Sequence, residues 1–136
     1  MEGAGKPIIV PTLEEIVILN RRLIGDYGGG FYCGATNLAN RDSLDHALTQ
    51  MQYNIFGVDR YPTMFDKAAL LAWRIIAGHV FYDGNKRTGM ASAMMFLVAN
   101  GFAVAIKMDT VDVALQVAQG QMTLEQLSQW FMHQCQ

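Results

Sequence analysis

The chain has 136 residues, a formal charge of −2 and only ten lysines and arginines in total. That balance supplies no basic field for holding nucleic acid without specificity, and no run of like charge marks a tail. A chain of this length buries about two-thirds of its unfolded surface, so one domain over residues 1–136 with a real hydrophobic core is expected.

Residues 1–10 hold one lysine and a single aliphatic run, Ile8, Ile9 and Val10, too little for an export signal. Thr12 and Glu15 then form a capping box ahead of Ile16, Val17, Leu19 and Leu23, which predicts a first helix stopped by Gly25. Residues 25–40 read as a loop. Their Gly28-Gly29-Gly30 run lacks the Gly-Lys-Ser/Thr of a Walker phosphate loop and reads as a flexible surface excursion. Asp42 or Ser43 is placed to cap a second helix running to about Asn54, with Leu44, Ala47, Leu48 and Met51 on one face and His46 facing solvent.

Residues 57–62 break the pattern, and Thr63 with Asp66 starts a third helix carrying Met64, Ala68, Leu71 and Ile75. A helix over residues 85–99 is apolar nearly all round, which predicts a buried central helix whose methionines fill gaps in the core. Residues 102–106 read as a short extended piece. Asp109 or Thr110 caps a helix ending at Gly120, and a capping box of Thr123 and Gln126 opens a last helix that docks Leu127, Trp130 and Phe131. His133, near its end, is a favourable C-terminal charge. The expected fold is all-α: a compact bundle of about six helices.

The longest apolar stretch, residues 93–106, is interrupted by Asn100-Gly101 and falls short of the roughly 20 residues a bilayer span needs. Cys33 and Cys135 are isolated and lack the spacing of a zinc site. A soluble protein of the reducing cytoplasm is expected, with no membrane or direct nucleic-acid partner.

Between the third and fourth helices, residues 79–88 concentrate the chemistry: His79-Val80-Phe81-Tyr82-Asp83-Gly84-Asn85-Lys86-Arg87-Thr88. Gly84 permits a backbone bend that a side chain resists. The helix opening at Asn85 presents amides without intrahelical acceptors, and the helix dipole there favours an anion. Lys86 and Arg87 oppose that dipole unless an anion joins them, and together they are equipped to grip phosphate oxygens. Asp83 is placed to hold a magnesium ion by one carboxylate oxygen, with phosphates and water completing its shell. An imidazole titrates near neutral pH, so His79 can take a proton from an attacking hydroxyl. Phe81 points into the core and fixes the loop. The alternative is purely structural, with a histidine capping a helix end and Asp-Gly-Asn as an ordinary turn. A metal hydrolase built on His79 and Asp83 lacks the further ligands such a site needs, since His46 and His133 lie far away in sequence.

The string His-x-Phe-x-Asp-Gly-Asn-Lys-Arg resembles the signature of the Fic/Doc superfamily, and Lys86 resembles its Doc, or death-on-curing, branch. Adenylylating Fic enzymes have glycine at that position and a second arginine three residues after the first, where this chain has Met90. Arg41-Asp42, Tyr61-Pro62, Lys67-Ala68-Ala69 and Asn100-Gly101 are similar to weaker landmarks of the family. The resemblance implies a toxin that moves the γ-phosphate of ATP to a threonine of elongation factor Tu and stops translation. It casts His79 as base, Asp83 as metal ligand, and Gly84, Asn85, Lys86 and Arg87 as the nucleotide and phosphate site, with the lysine turning the nucleotide so that its γ-phosphate faces the nucleophile. It also implies that residues 58–61 belong to a flap aligning the target peptide.

AMP transfer to a protein hydroxyl, and nucleotide or phosphate binding without catalysis, are the alternative functions. Self-restrained Fic relatives carry a Ser/Thr-x-x-x-Glu-Gly/Asn helix, and no such string occurs here. The resemblance then implies restraint by a separate Phd-type antitoxin, laying a helix into an apolar groove.

Overall fold

The computed structural model describes residues 7–31, 34, 36–53 and 59–135. Cys33, the expected helix end at Asn54, and Gly57 and Val58 of the expected break and flap lie outside the described residues. Among the described residues the fold is all-helical, with six helices: α1 (Leu13–Tyr27), α2 (Arg41–Gln52), α3 (Met64–Ala77), α4 (Asn85–Ala99), α5 (Thr110–Ala118) and α6 (Leu124–Gln134). The only ladder contact there is one isolated antiparallel bridge between Leu38 and Phe81.

Local chemistry sets most of these boundaries. The capping boxes Thr12/Glu15, Thr63/Asp66 and Thr123/Gln126 all form, each pairing a threonine hydroxyl with the backbone three residues on and the returning side chain with the threonine amide. α1 passes through Gly25 and stops at Gly28, whose φ of 103° no L-residue adopts comfortably. An exposed glycine inside a helix costs only about 1 kcal/mol, so the stop belongs to the glycine that must turn. α2 is capped by Asn40, whose side-chain oxygen accepts from the Ser43 amide at 3.4 Å, with Asp42 in the first turn. Asparagine caps as well as aspartate, and the cap lies two or three residues earlier than expected.

The buried centre is α3 rather than α4. Lys67, Ala68, Ala69, Leu70, Leu71, Ala72, Ile75 and Ile76 are all buried on α3. α4 instead buries one side, with Met90, Ala93, Phe96 and Leu97 inward, and leaves Met95 and Val98 about half exposed. Its near-uniform apolar composition hid this one-sided packing. Gly89 of α4 lets the two helices come close: a Cβ built on it would lie 2.7 Å from Ile76 Cγ1 and 3.0 Å from the Ala72 carbonyl of α3. α3 packs most extensively on α4, and also on α6 and α2, so the loop joining α3 to α4 hangs from the two most tightly coupled helices.

Residues 102–106 pair with no strand, and the Ala105 amide donates to the Gln134 carbonyl at the end of α6 at 2.8 Å. Phe102 meets Phe65 edge-on at 5.1 Å. Asn100 both ends α4 and pins the chain ahead of α1, accepting from the Ile9 amide at 2.9 Å and donating to the Ile9 carbonyl at 2.8 Å. No helix among the described residues is long and apolar enough to cross a membrane.

Asp66 couples the N-terminus of α3 to α6 by accepting from the Ser128 hydroxyl at 2.6 Å. Partial burial pushes its carboxyl upward, but the bonds from Ser128 and Thr63 and the charge of Lys67 outweigh that and hold it below its ordinary value of 3.8. In the acid window the unfolded chain therefore binds more protons than the folded one, and stability falls as pH drops through the lowered value. Asp66→Asn is expected to flatten this acid limb. Thermal midpoints of both proteins, measured from about pH 5 down to pH 2, check it: the difference between them should shrink as the wild-type carboxylate protonates.

Candidate active site

The loop between α3 and α4 is anchored from below before it displays anything. Val80 and Phe81 are fully buried, as expected for Phe81, and the Val80 carbonyl accepts from the amides of Ala39 and Asn40 at 2.8 and 3.0 Å. The Tyr82 amide donates to the Asn37 carbonyl at 3.0 Å. The segment before α2 thus forms a floor under the signature. Tyr82 faces out and is 56% exposed.

His79 sits where α3 ends, exposed to solvent, with a left-handed φ of 48°. Gly78 caps the helix, and the Val80 amide reaches back to the Ile75 carbonyl at 3.3 Å. His79 therefore occupies the left-handed position of a Schellman-type stop, normally held by glycine. A side chain there costs roughly 1–2 kcal/mol, and such strain concentrates at functional sites. It also turns the imidazole outward from a point fixed by its buried neighbours.

Gly84 makes the bend, with φ 78° and ψ 17°. Its missing side chain matters twice, since a Cβ would lie 3.0 Å from Asn20 Nδ2 and 3.2 Å from Ile24 Cγ1. α4 starts immediately after it without a side-chain cap and with no acid in its first turn. The first intrahelical bond is from the Thr88 amide to the Gly84 carbonyl at 2.9 Å, so the amides of Asn85, Lys86 and Arg87 have no acceptor within the helix. Lys86 and Arg87 are exposed at this electropositive end. The helix start thus leaves three main-chain donors open beside two exposed cations.

Asn85 is turned to another task. Its side-chain oxygen accepts from the Phe81 amide at 2.8 Å and its Nδ2 donates to the Phe81 carbonyl at 2.7 Å. The side chain closes the loop on itself, leaving one Nδ2 hydrogen and the main-chain N–H as further donors.

The 28–30 glycines are not the loose excursion that their composition suggests. The Gly30 amide donates to Asp83 Oδ2 at 2.8 Å, while the Gly84 amide donates to Oδ1 at 2.8 Å. A Cβ on Gly29 would come 3.0 Å from Asp83 Oδ2, at a φ of 130° that disfavours any side chain, so a substitution here would strain the strap and press on the carboxylate. Arg87 donates to the Gly28 carbonyl at 3.2 Å and lies 5.3 Å from the centre of the Tyr27 ring. The expected metal ligand and the expected phosphate-binding guanidinium therefore meet on one strap. Each amide bond to Asp83 uses one of roughly four lone-pair directions on its carboxylate, leaving others free for a cation.

Two residues that the sequence reading passed over complete the arrangement. Asn20 of α1 is fully buried; its Nδ2 donates to the Asp83 carbonyl at 2.9 Å and to Thr88 Oγ1 at 3.0 Å. Asn37, also fully buried and in a left-handed conformation at φ 57°, donates to Asn20 Oδ1 at 3.4 Å and to the Gly30 carbonyl at 3.1 Å. A signal for Asn20 was present: it falls on the apolar stripe Leu13, Ile16, Val17, Ile24 at helical spacing, and a buried amide must be paired.

At the other end of α3, about 20 Å away by helix rise, a surface depression of about 540 Å³ is lined by Arg60, Tyr61, Pro62, Asp66, Thr123, Leu124 and Glu125. It holds none of the signature residues. The described part of the expected flap is fixed there by buried Lys67, paired with Asp59 at 3.1 Å and bonded to the Tyr61 carbonyl.

Residues 10–97 match the family described as Fic/DOC family. The chain is 36% identical over 91 residues, 67% of its length and 70% of the relative's, to "Toxin Doc" of Mycolicibacterium smegmatis (strain ATCC 700084 / mc(2)155). It is 24% identical over 115 residues, 85% of its length and 86% of the relative's, to "Protein kinase doc" of Escherichia phage P1. With the family match spanning more than half of the chain and running through the whole signature loop, the protein belongs to the Fic/DOC family, in its Doc branch.

Proposed function

We propose that the protein is a Doc-type toxin acting as an ATP-dependent protein phosphotransferase. The observation that carries this is the pairing, on one short loop, of an outward-turned imidazole held at a strained position with an uncapped, cation-bearing helix start. The names of its relatives, a toxin and a protein kinase, support it. In the reaction a protein hydroxyl oxygen attacks the γ-phosphorus, the bond from that phosphorus to the β,γ-bridging oxygen breaks, and ADP leaves. His79 takes the hydroxyl proton. The α4 amides, Lys86 and Arg87 hold phosphate oxygens, and Arg87 exchanges its neutral carbonyl partner for a charged one, a bond roughly twice as strong.

Asp83 is the residue that would hold magnesium, and the donor set fits: one oriented carboxylate beside a phosphate cradle suits an ion that takes most of its oxygens from phosphate and water. Among the described residues no group of three or more His, Cys, Asp or Glu could hold a metal unaided. When bound, the ion neutralises phosphate charge.

Elongation factor Tu is the proposed target, its modification the route to translation arrest, and the cytoplasm the place of action. A Phd-type antitoxin is the proposed restraint. Lys86, and the buried Met90 where AMP-transferring relatives have a second arginine, favour γ- over α-phosphate chemistry. Purified protein incubated with magnesium, elongation factor Tu and ATP labelled at either phosphate tests the reading. Label from the γ position should appear on the factor. Transfer of α label would replace phosphotransfer with AMP transfer, and label from neither would leave only nucleotide binding.

A further inference from the structure

We propose that Asn20 and Asn37 are positioning residues for Asp83, closing a hydrogen-bond circuit that fixes how its carboxylate faces a divalent cation. The circuit runs from the Asp83 carbonyl to Asn20 Nδ2, from Asn20 Oδ1 to Asn37 Nδ2, from Asn37 Nδ2 to the Gly30 carbonyl, and from the Gly30 amide back to Asp83 Oδ2. It holds one residue by main chain and side chain together. A glycine strap alone would wander, because glycine has the most conformational freedom to lose. Asn37 restrains Gly30 through its carbonyl while the amide of the same residue orients the acid. Asn20 sets the height of the Asp83 backbone against Thr88, at the first turn of α4.

The chemistry of an amide is what both positions require. Asn20 spends both donors and its acceptor within the circuit and on Thr88; aspartate of the same shape would have no donors. Neither side chain is reachable by a substrate, both being fully buried. Their influence must pass through Asp83, as outer-shell partners of metal-binding carboxylates act.

The consequence for metal rests on the phosphotransfer reading of the site, whereas the circuit does not, so two measurements separate them. Asn37→Gly keeps the left-handed backbone while removing the amide, and Asn20→Ala serves as an independent break. Hydrogen exchange followed by NMR should show the Gly30 amide exchanging about fivefold faster in each variant, the factor that one net hydrogen bond is worth, with α3 amides still protected. Calorimetric titration with ATP should show affinity in magnesium falling by roughly tenfold or more, while affinity in EDTA falls by much less, because neither variant removes an α4 amide, Lys86 or Arg87. Unchanged Gly30 exchange in both variants would overturn the circuit. Faster exchange with unchanged magnesium-dependent binding, or equal losses with and without magnesium, would overturn the positioning role. Wild-type binding that ignores magnesium would instead overturn the reading of the site, and the exchange result would still decide the circuit.

Discussion

Replacing His79 with glycine is expected to abolish transfer while leaving the protein at least as stable as the wild type. The two effects share one cause. Position 79 closes α3 in a left-handed conformation, with φ 48°, which costs a residue bearing a side chain roughly 1–2 kcal/mol and costs glycine almost none. The imidazole thus holds a place where stability alone favours glycine. Losing a general base removes about 10²–10⁴ in rate, enough to erase detectable turnover of a slow protein substrate. His79→Ala should be equally inactive but about 1 kcal/mol less stable than His79→Gly, because it keeps the strain without the chemistry. Denaturant melts alongside a γ-label transfer assay check both halves. An active glycine variant would remove His79 from the reaction, and a glycine variant less stable than the alanine one would mean that the left-handed backbone stores no strain.

Asp83→Ala is expected to have the second-largest effect, on binding rather than on proton transfer. Removing the carboxylate takes away the proposed magnesium ligand and strands two donors, the amides of Gly30 and Gly84. Both bonds are only part-buried, so water can replace them and the loss of stability should stay near 1 kcal/mol. Affinity for ATP in magnesium should fall by at least an order of magnitude, the scale on which metal sites respond to lost ligands and their supports. Affinity in EDTA should change little. Titration under the two conditions checks this; equal affinities in magnesium for wild type and variant would show that Asp83 holds no cation.

The parts of the fold written in local chemistry were legible. Threonine paired with an acid or amide three residues on marks α1, α3 and α6, and all three boxes form. The signature loop was legible too, because Gly84 must bend and Lys86 and Arg87 oppose a helix dipole unless something anionic joins them. What stayed hidden depends on tertiary neighbours. Which helix lies at the centre could not be read from composition: α4 is apolar on nearly every side, yet it leaves Met95 and Val98 in solvent, whereas α3 is the one enclosed, with Gly89 of α4 permitting the close approach. Gly25 looked like a helix stop because glycine ends helices often, but only a glycine forced to positive φ actually does so, and that is Gly28.

The 28–30 strap and the two buried asparagines show the same limit. Three glycines carry no side chain to announce a partner, and their role lies in amides and carbonyls that meet Asp83, Arg87 and Asn37 across long sequence separations. Asn85 illustrates the converse. Its place in the motif suggests phosphate binding, and the motif gives no sign that its side chain also bonds the loop's own amide and carbonyl at Phe81.

The most direct measurement is the intact mass of purified elongation factor Tu after incubation with the protein, ATP and magnesium, beside an incubation with His79→Ala. A gain of one phosphoryl group on a hydroxyl, present with the wild type and absent with the variant, is the predicted result. A gain of one adenylyl group, a phosphoryl gain that persists without His79, or an unmodified factor would contradict it.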